Sequence, residues 1–402
     1  MKQYFLDNHP VYNDIKKEVL LNESLDGMSL IFNNSPSYML LTDINRKIIS
    51  ANKSFIEATG FQMHKIFGKS ANEIGFYKEN EYSRIGEFIS NQEKVNNEIV
   101  HCQTFDGKNL FFVLSLTTLE IHGKVTRLSS FLDITELKQQ QQDLELRIEE
   151  KLQSLRYAQL VQQCIFPSRS SLGQNLINHF ILQKPKDIVS GDFYWIKESN
   201  NLLYFAACDA TGHGVPGAFI SLIGSRLLTR CLFEYSLSRP ADILNKLNAE
   251  FEADTLDHEK EIADGFDIAL CVVDKEKMIM EYSGANRPIC QLRNGVVNKL
   301  SVDKISINLF TSNTGQLFSN YQVKIESGDQ YFLFSDGYID QFGGSQGKKF
   351  GYKNFENLIL SVQHLQMSQQ KAVFDQTIEE WIDLSKDEDQ TDDILVIGFS
   401  IP

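Results

Sequence analysis

The chain has 402 residues, with 53 acidic against 39 basic side chains and a net charge of −14. A composition of 42% hydrophobic and 23% charged residues is that of a globular protein of two or three domains, and the acidic balance argues against a nucleic-acid surface, because phosphate backbones need clustered Lys and Arg. No apolar run is read as approaching the ~18–20 residues that span a bilayer, and the first residues, Met1 to Asp7, are too polar for a signal peptide. Six scattered cysteines without a C-x-x-C pair are expected to be buried free thiols, so the expectation is a cytoplasmic protein with neither a membrane nor a nucleic acid as partner.

In chain order, residues 1–25 mix charge with leucine and predict a short helix over 11–25. Strands are predicted at 38–43 and 47–52 around an Asn45-Arg46 turn, followed by a helix that stops at Gly60. Short helices are predicted at 68–74 and 81–90. Three strands follow at 97–104, 109–119 and 125–133, the first two joined by Asp106-Gly107. The pieces Asn33-Ser35-Pro36, Thr42-Asp43, Ala51-Asn52-Lys53-Ser54-Phe55, Thr59-Gly60-Phe61, Gly68-Lys69-Ser70 and Asp133-Ile134-Thr135 stand in an order that resembles a PAS domain over 26–135. The resemblance implies a sensory or dimerising module. It leaves open whether a small ligand is bound, and if so which. His64, His101 and His122 are read as surface residues and not as haem ligands.

Residues 136–166 change character. Four glutamines, Gln139 to Gln142, lead into a stretch rich in Glu, Leu, Arg and Lys that lacks Gly and Pro. Leu137, Leu144, Ile148, Leu152 and Leu155 fall at steps of seven, four, four and three, the seam of a coiled coil with a stutter. So narrow an apolar stripe has little to bury against except a second copy, which predicts a parallel homodimer. The alternative is a single solvated helix.

From 167 to 402 the pattern predicts strands at 180–183, 192–197, 202–209, 268–273, 278–283, 321–325, 331–335 and 394–400. Helices are predicted at 216–233, 241–255, 355–362 and 368–384. Two sheets with helices outside would bury these apolar strands on both faces. An α+β protein is expected overall.

Four of the strand ends carry aspartate: Asp192 ahead of Phe193-Tyr194-Trp195, Asp209 after a continuous apolar run, Asp336 in Ser335-Asp336-Gly337, and Asp392-Asp393 before Ile394. Each alone is ordinary turn chemistry. Gathered together they would repel and shift one another's protonation, a difficulty that divalent cations remove. A ligand set of oxygens, without Cys or His, suits Mg²⁺ or Mn²⁺. After Asp209, three glycines and Pro216 mark a turn into a helix where backbone comes close to a small group.

These segments, with Asp264-Gly265-Phe266-Asp267-Ile268, Gly284-Ala285-Asn286-Arg287-Pro288 and Asp340-Gln341-Phe342-Gly343-Gly344, resemble the PPM class of metal-dependent protein phosphatases in its bacterial SpoIIE/RsbU-like branch, over about residues 155–400. The resemblance implies an αββα sandwich and a serine/threonine phosphatase in which a hydroxide held between two metals attacks phosphorus. It implies that Asp209 bridges the metals with help from the Ala210 carbonyl, that Asp192 serves one metal, and that Asp336 and Asp392 serve the other. Asp267 and Asp393 are placed behind the ligands. His213 is a candidate proton donor to the leaving oxygen, and more readily a support for its turn. Lys186 and Arg287 are candidate phosphate contacts, Lys184 a weaker one, and Asp264 a turn residue. Cys208 lacks the Cys-x5-Arg phosphate loop of a cysteine phosphatase. Asp209 is followed by Ala-Thr where many relatives have glycine, and Ser306-Ile307-Asn308 stands where relatives often carry Ile-Gly. The implied substrate is a phosphorylated STAS anti-sigma antagonist, and the segment 157–167 is implied to couple sensor to core. The rival reading is a weak or inactive phosphatase fold that signals by binding a partner.

Overall fold

The structure, a computed structural model, describes residues 29–78, 81, 83–86, 94–121, 123–166, 178–253, 264–308, 316–385 and 389–401. The helix expected over 11–25, residues 82 and 87–90 of that over 81–90, and His122 lie outside the described residues; 81 and 83–86 are helical as expected. Contacts divide the chain into two compact units, Met1–Glu149 and Glu150–Pro402.

The first unit holds one antiparallel sheet in the order Ile48–Ala51, Tyr38–Asp43, Lys124–Asp133, Asn109–Ile121, Lys94–Gln103. Its apolar residues close on a phenylalanine cluster, with Phe55, Phe76, Phe112 and Phe131 buried and in mutual ring contact. Asn52 organises the start of the helix Lys53–Thr59. Its Oδ1 accepts from Phe55 N and from Met39 N, while its Nδ2 donates to the Phe32 and Ser37 carbonyls. Gly60 ends that helix at φ 72°. The helix expected over 68–74 is instead a run of turns, bracketed by left-handed Gly68 and Gly75. Glu73 is drawn to Lys47 at 2.8 Å there. His101 is half-buried, its ring stacked on Phe111 at 4.6 Å, and is less exposed than a surface residue was expected to be.

A single helix, Thr135–Ile165, follows. Leu137, Leu144, Ile148 and Leu152 on it are exposed.

The second unit is built on two antiparallel sheets. One has the order Tyr321–Lys324, Ile279–Ala285, Gly265–Asp274, Leu202–Ala210, Phe193–Ser199. The other has the order Val296–Leu300, Ile289–Arg293, Gln330–Phe334, Ile394–Ser400, Asn178–Lys184. Between them lies one apolar layer that includes Leu203, Phe205, Val273, Leu333 and Phe399, with Phe205 and Phe399 stacked at 4.5 Å. Helices Gly214–Phe233 and Pro240–Ala253 cover the outer face of the first sheet, and Gly351–Val362 and Met367–Asp383 that of the second. This is the expected four-layer sandwich. The sequence reading missed the hairpin Ile289–Arg293/Val296–Leu300, although its Asn294-Gly295 turn, with both φ positive, is a strong hairpin signal.

The reading of apolar runs also needs correction. Helix Gly214–Phe233 is long and apolar enough, by length and composition, to cross a membrane, and 56% of its apolar window is buried inside the fold. Ile220, Leu227, Leu228, Cys231 and Leu232 on it serve the core of the sandwich, while Val215, Phe219, Ile223 and Phe233 are exposed. All six cysteines are free as expected, but Cys164 is exposed.

Asn52→Ala removes four hydrogen bonds at a fully buried position and should destabilise the first unit by about 2–4 kcal/mol. In calorimetry of the whole chain only the transition of the first unit should move.

Candidate metal centre

Strand register brings the acidic residues together. Phe193 pairs with Cys208, which sets Asp192 beside Asp209 at the strand ends. Asp209 in turn stands opposite Asp267 on the next strand. In the other sheet Phe334 pairs with Val396, and Ser335 N donates to the Leu395 carbonyl at 3.0 Å, so Asp336 and the Asp392-Asp393 pair emerge at the same end. The sheets meet where Asp336 N donates to Asp209 Oδ2 at 3.0 Å. Asp336 does not close its strand as predicted; it opens the short helix Asp336–Asp340.

Glycine permits this convergence. A Cβ on Gly337 would stand 2.0 Å from the Asp393 carbonyl, and one on Gly217 would stand 2.4 Å from the Gly212 carbonyl. Gly212 and Gly214 adopt φ of 79° and 67° in the turn after Asp209.

The cost of gathering carboxylates shows in their protonation. Asp192 is 3% exposed, and its Oδ2 is buried without a hydrogen-bond partner. Burial, with the charge of Asp209 next, pushes its carboxyl well above the usual range, against a hydrogen bond with Ser335. Burial lifts Asp209 to about 7, opposed by Arg287 and reinforced by Asp336 and Asp267. Asp392 is raised by burial, with Asp336 and Asp393 adding to it and His213 opposing.

Arg287 answers part of this charge. Its Nη2 lies 2.9 Å from Asp209 Oδ2, 3.3 Å from Asp267 Oδ2 and 2.8 Å from Asp336 Oδ2. Asp267 Oδ1 accepts from Asn286 Nδ2 at 2.9 Å and from Ser306 Oγ at 2.8 Å, so the serine that departs from the common pattern of relatives binds the cluster directly. Asp393, 3% exposed, accepts from Lys186 N and Gly191 N, both at 2.7 Å, and thereby pins the loop that carries Asp192. Ala210 pairs opposite Phe266 at the close of its strand. Among the described residues, no three His, Cys, Asp or Glu side chains close to the spacing that grips one ion.

Other candidates divide. His213 Nδ1 pairs with Asp187 Oδ2 at 2.7 Å and its Nε2 lies 3.0 Å from Lys186 Nζ, so both candidates form one exposed chain with Asp187 at the rim. Lys184 is engaged by Asp375 at 2.7 Å and Glu379 at 2.6 Å, which takes it out of phosphate steering. Asp264 directly precedes the strand Gly265–Asp274. Burial, with Asp192 and Asp209 behind it, pushes the Cys208 thiol well up, the opposite of what a thiolate nucleophile needs.

Two residues escaped the sequence reading. Asp187 carries no local signal, since its partner lies 26 positions away. Gln162, near the end of the long helix, is buried, donates to the Ser190 carbonyl at 2.7 Å and accepts from Ser190 N at 3.2 Å. It also donates to Ser221 Oγ at 3.1 Å. A glutamine in a Gln-rich helix announces nothing by itself.

Residues 199–402 match the family Stage II sporulation protein E (SpoIIE), half of the chain, and residues 36–136 match a PAS domain. The chain belongs to the SpoIIE family. It is a protein serine/threonine phosphatase of the PP2C type that carries a PAS domain. The SiaA-PP2C domain of Pseudomonas aeruginosa is similar at 26% identity and a TM-score of 0.57, covering 64% of this chain and 99% of that one. The PP2C phosphatase domain and regulatory fragment of SpoIIE from Bacillus subtilis aligns at 13% identity and a TM-score of 0.45, covering 80% and 89%. The PAS domain of an HTR-like protein from Haloarcula marismortui aligns at 20% identity and a TM-score of 0.27, covering 30% and 98%. Among curated proteins no sequence matches significantly.

The SpoIIE unit should show an inverted pH response in chelator. Asp209 keeps its proton to about pH 7 when folded, against an ordinary value of 3.8, so the fold binds that proton more tightly than the unfolded chain. The stability so conferred is complete below about pH 4 and is lost as pH rises through about 7. Thermal unfolding should therefore fall in temperature across that window, and Asp209→Asn should flatten the fall.

Proposed function

We propose that this chain hydrolyses phosphoserine or phosphothreonine on a partner protein, using two divalent cations, Mn²⁺ or Mg²⁺, under the control of its PAS unit. The observation that carries this reading is the buried, unpartnered Oδ2 of Asp192 beside Asp209, within a group of carboxylates that strand register draws together. Their all-oxygen chemistry and surplus negative charge fit hard divalent cations. Asp209 would hold both ions, helped by the Ala210 carbonyl; Asp192 would serve one, and Asp336 and Asp392 the other. When bound, such a pair supplies an activated water and positive charge for the phosphoryl oxygens.

The chain's own residues do the remainder. Asp393 fixes the loop that holds Asp192. Asp267, braced by Asn286 and Ser306, orients Arg287. Arg287 and Lys186 provide cationic contacts for a phosphate, and Asp187 holds His213 by Nδ1 so that its Nε2 accepts from Lys186 Nζ at the rim. A catalytically inert binding module is the less favoured reading, because the sequence keeps aspartate at all four positions such chemistry asks for, Asp192, Asp209, Asp336 and Asp392.

We read the chain as an N-terminal segment 1–25, a PAS-like sensor 26–135, a coiled-coil linker 136–166 and a phosphatase domain 167–402. Exposed Leu137, Leu144, Ile148 and Leu152 favour a parallel homodimer through the linker. A phosphorylated STAS-type protein is the substrate that the family suggests.

Asp209→Asn and Asp336→Asn should each lower Mn²⁺-dependent phosphopeptide hydrolysis by about a hundredfold or more, and excess chelator should abolish it. Full turnover in chelator would sink the reading. Gln162→Ala should leave the phosphatase unit folded, judged by its melting transition, yet lower kcat, because the Ser190 backbone then loses both of its bonds to the Gln162 side chain. An unchanged kcat would show that the helix does not act through this contact.

A further inference from the structure

Arg287 and Arg293, both half-buried, each stand among several carboxylates, and their clusters are built differently. Arg293 is a scaffold residue: Nε and Nη2 grip Asp329 at 2.8 and 2.6 Å, Nη1 reaches Glu326 at 3.0 Å, and Nη2 also donates to the Lys324 carbonyl at 2.6 Å. Such a paired fork is the stable way to bury a guanidinium. Arg287 is seated otherwise. A single nitrogen, Nη2, faces three carboxylates at 2.8–3.3 Å, and only the contact to Asp336 has hydrogen-bond geometry. Its Nε is buried with no partner at all.

Two hydrogens cannot serve three acceptors well, so what holds this arginine is concentrated negative charge more than fitted bonds. The backbone beneath it is fixed. Asn286 is held at φ 57°, its N donates to the Asp303 carbonyl, and Arg287 N donates to the Ala285 carbonyl at 2.7 Å. Any departure of the guanidinium must therefore come from side-chain rotation.

We propose that Arg287 is a tethered cation that competes with a divalent ion for Asp209 and Asp336: it neutralises these carboxylates until the ion takes its place, and its guanidinium then turns outward to meet the phosphoryl group. The proposal rests on the metal-dependent reading above and assigns Arg287 a role that precedes substrate. It predicts that metal affinity is set partly by an arginine that is not a ligand. Displacement forfeits one charge-assisted hydrogen bond and two close ion pairs, and the incoming ion must repay that loss.

The test is calorimetric titration of the full-length protein with MnCl₂, compared with Arg287→Gln and Arg287→Lys, alongside unfolding temperatures in chelator. Arg287→Gln should bind Mn²⁺ about tenfold more tightly, because no hydrogen-bonded charge has to be displaced. It should also melt lower than wild type in chelator and recover that loss in Mn²⁺. Arg287→Lys keeps a charge on a narrower, more strongly hydrated head and should fall between the two. Unchanged or weaker Mn²⁺ binding in a folded Arg287→Gln protein overturns the proposal, whatever its melting temperature. If Arg287→Gln does not fold, Arg287→Lys decides, with tighter binding for the proposal and equal or weaker binding against it. If wild type binds no Mn²⁺, it is the metal-dependent reading that fails, and the two failures are thus told apart.

Discussion

Like-charge repulsion among carboxylates is the constraint on which the catalytic unit depends. Two such charges about 4 Å apart repel by about 4 kcal/mol at an effective dielectric near 20. Burial and the charges of their acidic neighbours raise Asp192, Asp209 and Asp392, the first two strongly. No acidic turn on a flexible loop would hold such an arrangement. Here it is held because each aspartate ends or adjoins a strand whose other residues are committed to the apolar layers. Phe193, Cys208, Phe334 and Ile394 are all buried. Hydrophobic burial along the strands offsets electrostatic cost at their ends.

That division of labour explains why backbone detail matters at the site. The chain after Phe334 runs close to the entrance of the last strand only because Gly337 lies against the Asp393 carbonyl, and the loop of Asp192 approaches the turn after Asp209 only because Gly191 and Gly217 lie without side chains against the Gly212 carbonyl. Asp393, although adjacent to Asp392, is spent on backbone donors, Lys186 N and Gly191 N, and is more brace than ligand. Neighbours in sequence thus take different tasks, Asp393 buried on these donors and Asp392 half-buried beside it.

The long helix Thr135–Ile165 is polar over most of its surface and contributes little core of its own. Its significance lies at its end, where Gln162 and Phe166 turn inward. Phe166 stacks on Phe193 at 5.7 Å, and Gln162 holds both backbone groups of Ser190, two residues before Asp192. A rigid element fastened to the loop that carries Asp192 through a few directional bonds is the kind of connection by which a small change of register alters a site.

Much of this was legible in the sequence because the signals are local. Apolar runs 202–209 and 394–400, the glycine-rich turn after Asp209, and the spaced aspartates announced strands, sandwich and acidic strand ends. The hairpin at Asn294-Gly295 was equally local and was simply overlooked. Other features depend on partners far along the chain, such as Gln162 on Ser190, Asp187 on His213, and Ser306 and Asn286 on Asp267. A residue's own type does not disclose a partner chosen by register between strands. So composition and periodicity determined which segments are strands, which helices and where acid is concentrated. Only the packing of two sheets decided which oxygens face one another, which aspartate is a brace, and that a single arginine stands in the midst of three of them, since through-space charge and contact are fixed by tertiary distance and not by separation along the chain.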